Sequence, residues 1–158
     1  MNLYHIFRRQ RLPIDIDTAW DFFSSPENLA KITPEYFDVR IKNEVPAKIY
    51  QGLIIVYVMQ VVPGFPFSWV TEFTHVQKPD LFVDEQRFGP FKFWHHKHKL
   101  EEIKGGIEVV DILDYAMSYF VIGQLAHGAF VRKLLESVFD YRREALERIF
   151  GTMARPVL

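Results

Sequence analysis

The stretch Phe91–Tyr115, FKFWHHKHKLEEIKGGIEVVDILDY, reads as two alternating strands joined at Gly105-Gly106. Side chains alternate across a strand, so Trp94, His96, His98 and Leu100 share one face, while Phe93, His95, Lys97 and Lys99 share the other. The lysines mark the second face as solvent and place His95 there. Gly-Gly suits a two-residue hairpin, which pairs Lys104 with Ile107, His98 with Leu113, His96 with Tyr115 and Trp94 with Met117. The inward set of the second strand is then Ile107, Val109, Asp111, Leu113, Tyr115 and Met117. Asp111 is a carboxylate among apolar neighbours and needs a partner. This register sets it diagonally from His98, within reach of a long side-chain contact.

Working outward, Leu3 to Leu12 reads as a first strand. Asp17 caps a short helix through Trp20 and Phe23. Ser25-Pro26 starts a second one, which ends before Pro34 because the residue ahead of a proline avoids helical angles. Strand-like runs follow at Phe37–Asn43, Leu53–Val62, Phe67–Gln77, Leu81–Phe88, Phe91–Lys104 and Ile107–Tyr119. From about Gln124 to Phe150, apolar residues including Val131, Leu134, Leu135, Val138, Ala145 and Leu146 recur at three- and four-residue spacing, the signature of one long amphipathic helix. The order implies an α+β fold. About seven antiparallel strands form a curved sheet that wraps around the C-terminal helix, with two short helices after strand 1. Such a wrap leaves room for a cavity between sheet and helix.

The turn at Lys78-Pro79 pairs even positions of Leu81–Phe88 with odd ones such as Trp69 and Phe73, which turns Asp84 and Gln86 inward. The expected walls of the cavity are Trp69, Phe73, Phe82, Phe88 and Trp94 from the sheet. Leu113 and Met117 join them from the last strand, and Leu134 and Val138 from the helix. Its expected polar end is Asp84, Gln86, His96, His98, Asp111 and Tyr115. Trp20, Phe22 and Phe23 read as core. The loop Val62–Phe67, with two prolines and two phenylalanines, reads as a connector packed on the domain.

Composition narrows the function. The 158 residues suit a single domain, 1–158, with a substantial core. Lys plus Arg (19) nearly balance Asp plus Glu (20), so no basic face for nucleic acid is expected. No apolar run is long enough for an integral membrane segment. The N-terminus lacks the apolar core of a signal peptide. The chain has no cysteine, which excludes disulfides and thiolate chemistry and fits a cytoplasmic location.

Several segments together resemble the START-like, SRPBCC ligand-binding superfamily. They are Leu12–Leu29 (LPIDIDTAWDFFSSPENL), Ile32-Thr-Pro34, Val83-Asp-Glu-Gln86, Gly89-Pro-Phe91, Trp94–His98 (WHHKH) and Asp111–Tyr115 (DILDY). The resemblance runs from about Tyr4 to Phe150 and points to a bacterial branch. It implies the helix-grip fold of the birch pollen allergen, with a hydrophobic cavity lined by inward strand residues and the inner face of the long helix. Members bind lipids, sterols, polyketides, quinones or plant hormones, and a minority are cyclases or hydrolases.

Three functional readings follow. The first is binding of a small hydrophobic molecule, such as a lipid, polyketide, isoprenoid or sterol, without a cofactor. The second is a polyketide cyclase- or dehydratase-like enzyme in which His96, His98, Asp111 and Tyr115 move protons. The third is a structural domain in which the same polar residues are satisfied core groups. A metal site would use His96, His98 and Asp111, two nitrogens and one oxygen. No further inward histidine is expected close by, since His75 falls near the far end of its strand, so no metal is expected.

Overall fold

In the computed structural model, residues 2–62, 64–117 and 128–153 are described. Strand β1 (Tyr4–Leu12) leads into helix α1 (Ile16–Phe23) and two 3-10 turns, Pro26–Ile32 and Glu35–Phe37. Six strands follow: β2 (Arg40–Ile41), β3 (Ile54–Val62), β4 (Phe65–Gln77), β5 (Leu81–Phe88), β6 (Phe91–Ile103) and β7 (Gly106–Met117). Helix α2 (Gly128–Phe150) is the last described element. The seven strands form one sheet in the order β1-β7-β6-β5-β4-β3-β2. Every neighbouring pair is antiparallel. The short helices carry the chain from one sheet edge to the other, and the meander then returns to pair β7 with β1. This curved sheet gripping a C-terminal helix is the helix-grip architecture the sequence pattern implies.

Two apolar clusters hold the helix to the sheet. In the larger, Ala145 and Leu146 of α2 meet Leu12, Trp20, Ile55, Phe82, Leu100 and Ile107 among others. In the smaller, Val131 and Phe139 meet Ile6, Leu113, Tyr115 and Met117. At about 25 cal/mol per Å² of apolar surface removed from water, each buried aromatic or leucine contributes roughly 1.5–3 kcal/mol to this grip. Along β7 the larger cluster supplies Val109 and the smaller Leu113, so Asp111 lies at the seam between them.

The structure corrects several local expectations. The β6–β7 turn is Lys104-Gly105, which pairs Ile103 with Gly106 and moves the whole register by two residues. Faces are unchanged by an even shift, but Asp111 now lies directly opposite His98, Leu113 opposite His96, and Tyr115 opposite Trp94. The two glycines serve different ends. Gly105 takes a φ of +86°, and a Cβ on Gly106 would stand 2.1 Å from the Leu12 carbonyl oxygen of β1. Gly106 therefore belongs to the ladder, packed against the neighbouring strand, and cannot serve as the turn tip.

The cap of α1 is Asp15, not Asp17: its carboxylate accepts from the Thr18 N–H at 2.7 Å. The second short helix is a 3-10 turn, with Ser25 at its cap position and Pro26 first. The run Phe37–Asn43 yields only the two-residue β2, because Glu35–Phe37 closes a 3-10 turn and Asp38 adopts left-handed angles. Of the expected connector Val62–Phe67, Pro63 lies outside the described residues, and β4 begins already at Phe65, which is 73% exposed. Tyr119 and Gln124, the expected ends of the last strand and the long helix, lie outside the described residues.

Candidate functional site

A cavity of about 720 Å³ lies between the sheet and α2. Phe22, Phe23, Leu29 and Ile32 close one side, and Leu134, Leu135 and Val138 of α2 another. From the sheet come Tyr57, Trp69, Phe73, Phe82 and Trp94, with Phe65 and Phe67 also in its wall. Its charged lining is Asp84, His96, His98 and Arg142.

These groups form one network around Asp111. His96 Nε2 and His98 Nδ1 each lie 3.0 Å from Asp111 Oδ1, and Arg142 Nη1 donates to the same oxygen at 3.3 Å. On the other side, His98 Nε2 lies 2.8 Å from Asp84 Oδ2, while His96 Nδ1 stands 3.8 Å from that oxygen, beyond hydrogen-bond reach. Trp94 Nε1 donates to Asp84 Oδ1 at 3.3 Å. The Phe82 ring stacks on His98, with centroids 4.3 Å apart, and Phe139 meets His96 edge-on at 5.7 Å.

The geometry assigns the protons. His98 Nε2 bonds Asp84 Oδ2 and its Nδ1 stands 3.0 Å from Asp111 Oδ1, so each ring nitrogen faces a carboxylate oxygen, an arrangement that favours the imidazolium. Burial alone would lower its pKa, but the hydrogen bonds to Asp111 and Asp84 outweigh that and raise it. His96 has one carboxylate partner, and burial together with the charge of His98 pushes its pKa down. It is neutral, with its proton on Nε2 and a lone pair on Nδ1. Burial favours the protonated form of both acids. Hydrogen bonds from His96 and His98, helped by the Arg142 charge, nevertheless hold Asp111 well below the usual carboxylate range. The His98 hydrogen bond and the two histidines bring Asp84 down as well. Two carboxylates, one imidazolium and one guanidinium therefore sum to zero, the condition under which a buried ionic cluster is tolerable.

Of the residues expected from the sequence, Trp69, Phe73, Phe82, Asp84, Trp94, His96, His98, Leu134 and Val138 line the cavity. Asp111 sits behind the two histidines as their anchor. Leu113, Tyr115 and Met117 face inward but pack in the smaller cluster, where Tyr115 stacks on Tyr4 at 5.4 Å and burial raises its pKa. Tyr115 is thus not beside His96. Phe88 is 65% exposed, because a bulge pairs Val70 with Phe88 but Thr71 with Gln86, which inverts the alternation at the strand end. Gln86 is not in the cavity wall: its amide donates to the Phe91 carbonyl at 2.6 Å and accepts from the Phe91 N–H at 3.2 Å, bracing the β5–β6 turn. A second bulge, between Phe73 and His75, leaves His75 exposed. His95 faces outward as expected, 3.0 Å from Glu85. Trp20 is core, whereas Phe22 and Phe23 reach the cavity.

Sequence reasoning missed Arg142 and Tyr57. Arg142 carried a signal: it lies four residues after Val138 and three before Ala145, a charge inside the apolar stripe of the helix. Its Nε is buried without a hydrogen-bond partner. Tyr57 lines the cavity, and burial together with the nearby Asp84 charge raises its pKa far above the ordinary phenol value.

The family model for polyketide cyclase/dehydrase and lipid transport matches residues 12–149. No curated protein is significantly similar in sequence. Among solved structures, the fold is similar to the di-domain aromatase/cyclase StfQ of the steffimycin biosynthetic pathway (TM-score 0.71, 10% identity), covering 92% of this chain. The chain spans half the length of that protein, 50%. It is similar to a Chromobacterium violaceum protein (TM-score 0.72, 12% identity; 94% of this chain and 98% of that one). It is also similar to norcoclaurine synthase from Thalictrum flavum, solved with dopamine and hydroxybenzaldehyde (TM-score 0.64, 14% identity; 94% and 86%).

Proposed function

Since the chain belongs to the polyketide cyclase/dehydrase and lipid-transport family, we propose that it binds one small hydrophobic molecule in the cavity between sheet and α2. The observation that carries this reading is the cavity itself, about 720 Å³ with walls of Phe, Trp, Leu and Val and one charged corner. Pockets for small ligands combine such apolar walls with a few placed polar groups that fix orientation. Here the apolar part of the ligand would lie along Phe73, Phe82, Leu134 and Val138. An oxygen-bearing end would meet His96 Nδ1, which accepts, and Arg142 Nε, which donates. A single domain acting in the cytoplasm accords with the cysteine-free sequence. Among the described residues no helix is long and apolar enough to cross a membrane.

A second reading, proton transfer in a cyclisation or dehydration, is favoured by the lone pair on His96 Nδ1. A neutral imidazole with a fixed tautomer, buried in the cavity wall, is the form in which histidine acts as a general base. Tyr115 has no part in it, being packed away from His96.

Native mass spectra of protein purified under mild conditions, before and after solvent extraction, test the binding reading. An adduct of a few hundred daltons, lost on extraction and weakened in Arg142→Met, is expected. Saturable uptake of polyketide-like aromatics by the extracted protein is the second expected result. A chain that carries no adduct and takes up neither lipid nor aromatic probe sinks the reading.

A further inference from the structure

The two histidines are arranged as metal ligands are, and we propose that Asp84, His96 and His98 form a site for one divalent transition-metal ion, zinc foremost. Their ligand atoms lie within 4.8 Å of one another. The stronger observation is what stands behind them. His96 Nε2 bonds Asp111 Oδ1 at 3.0 Å and His98 Nδ1 stands 3.0 Å from the same oxygen, while the opposite nitrogens, His96 Nδ1 and His98 Nε2, lie toward one Asp84 oxygen. A carboxylate that holds the far nitrogen of a ligating imidazole is the usual outer support of a histidine-bound metal, and here a single Asp111 supports both rings. The ligating carboxylate is supported as well, by Trp94 Nε1 on Asp84 Oδ1 at 3.3 Å.

The distances suit an ion. Ligand atoms about 2.0 Å from a tetrahedral centre stand roughly 3.3 Å apart. Asp84 Oδ2 lies 2.8 Å from His98 Nε2 and 3.8 Å from His96 Nδ1, on either side of that spacing, and all three ligand atoms lie within 4.8 Å of one another. A cation takes the place of the proton shared by His98 and Asp84 and uses the unpartnered lone pair of His96 Nδ1. Arg142, tied to Asp111, keeps the outer carboxylate balanced once His98 has lost its proton. Two imidazoles and one carboxylate are the donor set of mononuclear zinc and non-haem iron sites with open positions. All three residues line the cavity, so the open position faces it, and an oxygen-bearing ligand would complete the coordination.

The proposal shares the cavity with the hydrophobic-ligand reading but does not rest on it. Cobalt(II) is therefore the probe, and an absent lipid adduct leaves the metal proposal standing, just as the reverse holds. Full-length protein stripped with a chelator is titrated with cobalt(II) while visible absorption is followed, and zinc is then added. One equivalent should give a tetrahedral cobalt spectrum that zinc bleaches. His96→Ala and Asp84→Asn should abolish it, with circular dichroism confirming that each is folded. Asp111→Asn keeps every ligand and should weaken affinity about 10–100-fold, and Phe88→Ser on the outer face should leave it intact. Absence of a saturable spectrum in the native sequence overturns the proposal, and so does a spectrum that survives in folded His96→Ala.

Discussion

Replacing Arg142 by methionine keeps an unbranched apolar stem and deletes the charge, which tests the charge balance of the buried cluster in the metal-free protein. The guanidinium is 12% exposed and lies 3.3 Å from Asp111 Oδ1. Without it, Asp84 and Asp111 share one imidazolium and the cluster carries a net charge of −1. Removing one partner of a buried pair typically costs about 3–5 kcal/mol. Asp111 keeps its bond from His96 and its ion pair with His98, which puts the expected loss near the lower end, about 3 kcal/mol. For a domain of this size that is a fall in Tm of roughly 6–12 °C. Asp111→Asn alone errs in the other direction, leaving His98 and Arg142 against Asp84 alone, a net charge of +1. The double variant is neutral again, with His98 against Asp84. Urea unfolding of all four proteins at pH 7 should therefore show strong coupling, with the double variant about 2–3 kcal/mol more stable than the sum of the singles predicts. Additivity within about 0.5 kcal/mol would refute the charge accounting, whatever the single values.

Other consequences are more local. Gly106→Ala puts a Cβ against the Leu12 carbonyl, backbone on backbone, and should cost about 1–3 kcal/mol by forcing β1 from β7; amide exchange of residues 4–12 would report it. Leu134→Trp fills the cavity and should abolish saturable uptake of a fluorescent lipid probe, while Phe88→Ser should not change it, because Phe88 lies on the outer face. Asp15 accepts hydrogen bonds from the Thr18 N–H and hydroxyl, which hold its carboxyl below the usual value. A depressed acid stabilises the fold above its unfolded pKa of about 3.9, and this contribution fades as pH falls through the lower folded value. Asp15→Ala should thus melt below the native protein at pH 7, with the gap closing as the pH falls below the ordinary carboxylate range.

The fold was legible because its signals are periodic and redundant. Seven runs of alternation separated by turn residues and one apolar stripe at helical spacing admit few arrangements, and a register error of two in β6–β7 left every face assignment intact. Where a single residue changes the count, alternation misleads. The bulge by Val70-Thr71 put Phe88 outside, and the one between Phe73 and His75 did the same to His75, with no sequence mark at either place. The turn tip was misplaced for a related reason. Two adjacent glycines suggested one turn, whereas one glycine satisfies the turn and the other the close approach of β1.

The site was half legible, and the division follows its chemistry. Residues on one strand declare their shared face, so Trp94, His96 and His98 were grouped correctly, and Asp111 stood out as an inward charge. What a single strand cannot declare is the partner supplied by another element. Arg142 comes from the helix, 31 residues beyond Asp111, and only the packing of α2 over β7 brings the two together. Yet the sequence contained the constraint that requires it. Two inward carboxylates beside a histidine pair that carries one proton leave a net negative charge in a low-dielectric seam, and such a charge is not buried unanswered. A search for one more cation on an apolar face would have found a single strong candidate in the long helix, the arginine four residues beyond Val138. In reading a buried cluster from sequence, charge neutrality is therefore a constraint of the same kind as periodicity, and it reaches across elements where periodicity cannot.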